Sequence, residues 1–156
     1  MQGRSSRKKQ WLLVTDLVTL QGMKIFFENA AGRLLEDPAG FLQANWTAQP
    51  RSFSELQSLF THMALGLQRN GWSRMLINQV SMTPFSQQEQ LWIAEHWLPG
   101  AVQTAGYRFG AVVVSQDVLT RLATAYVTTH VQGLPLTYRS FETEEQAKAW
   151  LLKQPV

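Results

Sequence analysis

The last third of the chain alternates strand, helix, strand, helix, and this limits the possible folds more than any other feature. Arg108 to Val114 (RFGAVVV) is an apolar run, and Asp117 to His130 has helical character. Leu136 to Phe141 (LTYRSF) is a further strand, and a short helix closes through Trp150. Buried parallel strands are apolar runs, and amphipathic helices must cross between them. The expected class is α/β, a mixed sheet with helices packed against it.

The earlier part is punctuated in the same way. Lys24 to Glu28 is a short strand, Asn29 to Gly32 a turn, and Arg33 to Leu35 the return strand of an antiparallel pair. Asp37-Pro38-Ala39-Gly40 is a second turn, since Asp bonds its own backbone, Pro presets φ and Gly ends the turn. Phe41 to Thr47 follows as a strand. Ser52 with Glu55, and Ser86 with Glu89, are spaced as capping boxes. The first opens a helix with Phe53, Leu56, Leu59, Phe60, Met63, Ala64 and Leu67 on one stripe, ended by Gly71. A strand lies within Arg74 to Met82. The second box opens a helix that Pro99-Gly100 is expected to kink or stop, because Pro removes a donor and crowds the preceding turn. A continuation through Ala101 to Ala105 would end at Gly106. Thr143 with Gln146 caps the last helix, with Ala147, Trp150 and Leu151 facing inward.

With 156 residues the chain reads as one domain. It has no cysteine, which excludes disulfides and thiolate chemistry and reads as a cytoplasmic protein. Residues 23–156 hold ten of the 14 Lys/Arg and ten of the 11 Asp/Glu, so the formal charge of +3 belongs to residues 1–22. A neutral body argues against nucleic acid as the main partner. The leader, basic residues followed by WLLVTDLVTL, lacks a cleavage site and is interrupted by Asp16, so it reads as a disordered extension. Its apolar run is too short to span a bilayer, and no other stretch is long and apolar enough to form a transmembrane segment.

The element order, with Tyr138-Arg139-x-Phe141 and Glu144-Glu145-x-Ala147-x-x-Trp150-Leu151 near the end, resembles the SpoIIAA-like, or STAS-type, small α/β domains across residues 23–153. The stand-alone bacterial versions are the most similar. The resemblance implies a non-catalytic module that binds a protein partner or itself. In signalling members a phosphorylatable serine sits in a D-S-x-G turn and opens a docking helix. Here that segment is Met82-Thr83-Pro84-Phe85-Ser86-Gln87, without the Asp or the Gly. The resemblance places the contact surface at Thr83, Phe85, Ser86 and Gln88, and the residues themselves read Ser86 as an N-cap.

Chemical motifs are scarce. His62, His96 and His130 fall in three different helices with no metal-ligand spacing. Glu95 and His96 are adjacent and so do not face each other on a helix. There is no nucleophile elbow and no phosphate loop. Glu142, Glu144 and Glu145 suit the first turn of a helix better than a metal. Neither metal nor cofactor is expected, and an enzyme ranks last among the readings. Trp46, Trp72, Trp92, Trp97 and Trp150 read chiefly as core. An alternative reading is a carrier of a small apolar ligand or lipid, with Trp92 and Trp97 lining a pocket and Arg108 or Arg139 steering an anion.

Overall fold

The computed structural model describes residues 22–155. The leader expectation, on residues 1–22, lies outside them except for Gly22. Six strands form one sheet in strictly sequential order: β1 (Lys24–Glu28), β2 (Gly32–Asp37), β3 (Phe41–Trp46), β4 (Arg74–Asn78), β5 (Phe109–Val113) and β6 (Thr137–Phe141). β1, β2 and β3 pair antiparallel, and β3 to β6 pair parallel. The sheet is therefore mixed and the class is α/β, as the alternation requires.

Each step to the next parallel strand takes a helical crossover: α1 (Phe53–Asn70), then α2 (Gln87–Trp92) running on into α3 (Leu98–Gln103), then α4 (Val118–Thr129). Crossovers of one hand that always advance in one direction keep their helices on one face. The main core accordingly joins α1, α2, α3 and α4 to Leu34, Leu42, Ala44, Met75, Ile77 and Val112 of the sheet. The last helix, α5 (Glu144–Leu152), covers the opposite face. There Ala147 and Leu151 pack on Phe41, Leu76, Ala111 and Val113, with Trp150 beside them.

Local chemistry explains the boundaries. Both capping boxes form, with Ser52 and Ser86 each accepting from the backbone N–H three residues on and each Glu reaching back. Gly71 ends α1 in the left-handed conformation. At the β2–β3 turn, Ala39 N–H donates to Asp37 Oδ1 at 2.8 Å. Gly40 closes that turn at φ +99°, where a Cβ would meet the Arg74 guanidinium at 2.8 Å. The buried Arg74 donates to the carbonyls of Ala39 and Gly40, both at 3.2 Å, so turn and strand lock together. In β1 the register shifts between Ile25 and Phe27. This β-bulge turns Phe26 and Phe27 toward the same helix, where both rings meet His62 of α1.

Pro99 does not stop its helix. Residues Ile93–Trp97 form a π-helical turn, in which Leu98 N–H donates to Ile93 O. The wider turn makes room for the proline ring, which would otherwise crowd the carbonyl four residues back. The helix then resumes as α3.

Gly110 in β5 lies under Tyr107 and Tyr138, and a Cβ there would overlap both side chains. Gly110→Ala is expected to cost about 1–3 kcal/mol from overpacking, read as a lowered urea midpoint with unchanged m-value. A neutral effect would show that the two tyrosines can move apart.

Candidate functional site

The segment named from the sequence is built around a buried ion pair. Arg51, in the loop before α1, meets the Glu89 carboxylate through two contacts, Nε–Oε2 at 2.9 Å and an Nη2–Oε1 bond at 3.0 Å. The two side chains are 5% and 8% exposed. The same guanidinium donates to Thr83 Oγ1 at 2.8 Å and to Pro84 O at 3.1 Å. It lies over the rings of Trp46 and Phe85, 5.5 and 5.8 Å from their centroids. Glu89 Oε1 also accepts from Ser86 N–H at 2.7 Å. One carboxylate thus caps α2 and pairs with the arginine.

This corrects part of the expected contact surface. Phe85 is buried among Trp46 and Phe60, because its ring packs against the arginine and closes the core. Thr83, Ser86 and Gln88 are exposed. The Ser86 hydroxyl accepts from Glu89 N–H at 3.1 Å, the cap that the residues implied.

Beside this turn lies a surface that the sequence reading missed. Thr120 of α4 donates to Met82 O at 3.3 Å and so holds α4 against the start of α2. The buried side of α4 carries Thr120, Ala123 and Val127. Its outer side carries Val118, Leu119, Leu122 and Tyr126, exposed by 66%, 65%, 63% and 41%. Leu91 of α2 is exposed as well. The signal was present in VLTRLATAYV, whose apolar residues surround the helix instead of occupying one stripe.

The four residues expected to hold a ligand do not share one cavity. Trp97 donates from Nε1 to Phe60 O at 2.7 Å. Trp92 also packs on Phe60. Arg108 bonds the carbonyls of Val102 and Tyr107, both at 2.9 Å. Arg139 is exposed on β6. It lines an open depression of about 1080 Å³ between α4 and β6 that also reaches Arg121, Thr124, Thr128 and Tyr138.

The histidines are individually accounted for. His62 donates from Nδ1 to Ser58 O at 2.7 Å and stacks on Phe27 at 3.7 Å. His130 donates to Tyr126 O at 2.9 Å, and His96 is exposed. Among the described residues no group of three potential metal-ligating side chains converges. Glu144 instead accepts from Gln43 at 2.9 Å and Asn78 at 2.8 Å, tying α5 to the sheet. No helix among the described residues is long and apolar enough to cross a membrane.

Tyr107 donates to Tyr138 at 3.1 Å. Burial raises both phenols. Tyr107 goes well above its ordinary value, helped by Tyr138, and Tyr138 goes from 10.0 to about 12. The chain matches no protein-family model, no curated protein and no solved structure with which it was compared.

Two expectations follow. Glu89→Gln strands the Arg51 charge and is expected to lose about 3–5 kcal/mol, whereas Arg51→Met with Glu89→Met recovers much of that loss; denaturant titration of the three variants reads both effects. The raised phenols bind protons that the unfolded chain releases above pH 10.0, so their stabilising contribution is full below that pH and is lost as pH rises through about 12. Tyr107→Phe should flatten this alkaline decline, followed as the urea midpoint against pH.

Proposed function

We propose that this chain is a cytoplasmic, non-catalytic SpoIIAA-like interaction module that docks a second copy of itself. The family reading is supported by the antiparallel opening, the strand–helix units that follow it, and the Tyr138-Arg139-x-Phe141 pattern on the last strand. The docking reading rests on the outer stripe of α4, where three aliphatic side chains are each exposed by more than 60%. Apolar surface of this kind, rimmed by polar residues, marks association sites.

The stripe continues across Leu91 to Thr83, Ser86 and Gln88 at the start of α2. None of these residues is charged. A twofold contact sets each residue near its own equivalent, so an uncharged patch can face itself without like-charge repulsion. The body's neutral charge favours protein over nucleic acid as the partner.

Sedimentation equilibrium of the full chain tests the reading. The wild type should show a concentration-dependent dimer, and Leu122→Asp should shift it to monomer by at least about tenfold in dissociation constant without lowering the melting temperature. Gln88→Glu should weaken the dimer to a smaller degree. A wild type that stays monomeric at high concentration would remove the proposal.

A further inference from the structure

On the opposite flank of α4 from the outer stripe, the depression beside β6 continues inward. A void of about 30 Å³ lies behind it, and Gln79, Val112, Thr124, Thr128 and Tyr138 border both spaces. Trp46 also lines the void. Its indole is 4% exposed, and its Nε1–H finds no acceptor among the described residues.

A buried donor left unpaired costs about 1–3 kcal/mol, so an oxygen in the void would relieve Trp46. A void of this size admits a water or one small polar group. The rest of the lining favours more than water. Thr124 donates to Gln79 Oε1 at 3.0 Å, which leaves the Gln79 amide hydrogens as donors. The mouth of the depression carries Arg139 and Arg121. Arg121 has Glu142 at 3.5 Å, whereas Arg139 has no carboxylate within salt-bridge distance among the described residues and lies over Phe141 at 5.6 Å. Between mouth and void runs an apolar wall of Val131, Leu134 and Leu136. The sequence is donor, apolar wall, cation.

The geometry points to a binding site for a small organic anion: its carboxylate or phosphate at Arg139, its body on the apolar wall, and a neutral oxygen accepting from Trp46 Nε1–H. The site depends neither on self-association nor on the family reading. Its residues lie on the Tyr138 side of α4, and the docking stripe is on the other.

The probes are keto-carboxylates CH3CO(CH2)nCOO⁻ of graded length, titrated into the full chain. Binding is followed at the Trp46 indole N–H signal in proton–nitrogen correlation NMR, assigned by its loss in Trp46→Phe. One length should shift that signal saturably and bind at least about tenfold tighter than a matched alkyl carboxylate or a matched methyl ketone. Arg139→Glu, at an exposed position, should abolish the advantage over the ketone and leave the other indole signals in place. Replacing the carboxylate by phosphate in the best probe identifies the preferred head group, and both results support an anion site. A Trp46 signal that ignores the whole series while showing exchange with water would make the void a hydration site and overturn the inference. A shift that Arg139→Glu does not weaken would overturn it equally.

Discussion

The pairing of Arg51 with Glu89 is the constraint that the helical face of the sheet depends on. Removing two charges from water is expensive, and their attraction offsets this only when hydrogen bonds use the remaining donors and lone pairs. Here they do. Glu89 serves its own helix cap, and Arg51 reaches the backbone of the Thr83–Pro84 turn. The loop leaving β3 is thereby fastened to the loop leaving β4. Trp46 and Phe85 lie against the guanidinium and close the core around it. The start of α2 is consequently rigid, and α4, bonded to Met82 O through Thr120, inherits its position.

From that anchor the sheet distributes the remaining surfaces. The helices on the main face advance with the strands, and α4 is the last of them. It has a neighbour on one side and only the exposed strand β6 on the other. One flank of α4 therefore shows an apolar stripe continuous with α2, and the other opens onto the depression at β6. The edge at β1 differs: it is bulged, with Lys24 and Glu28 at its ends, features that discourage pairing with another sheet.

Short-range chemistry was legible in the sequence. Caps, the Asp-Pro-Ala-Gly turn and the strand runs depend on residues a few positions apart, and their signals survive in one dimension. Pro99 was misread in part because the rule for proline assumes an α-helical turn, and the π turn before it avoids the clash. The site was less legible. Phe85 follows a proline and precedes a cap, which resembles a surface turn; only Arg51, 34 residues earlier in the numbering, draws it inward. The orphaned indole of Trp46 and the void beside it are products of packing among five elements. No local pattern encodes them.

The strictly sequential strand order has a consequence for how the chain is made. Each strand of the sheet pairs with the one synthesised just before it, so no early strand waits for a late one to complete its ladder. The meander and α1 can form while the remainder is still inside the ribosome, and each later strand–helix unit adds to a finished edge. Short loops between partners keep the entropy of closure low at every step. Only α5 breaks this progression, since Glu144 bonds Gln43 across 101 positions. The opposite face is thus sealed last, as the chain is released.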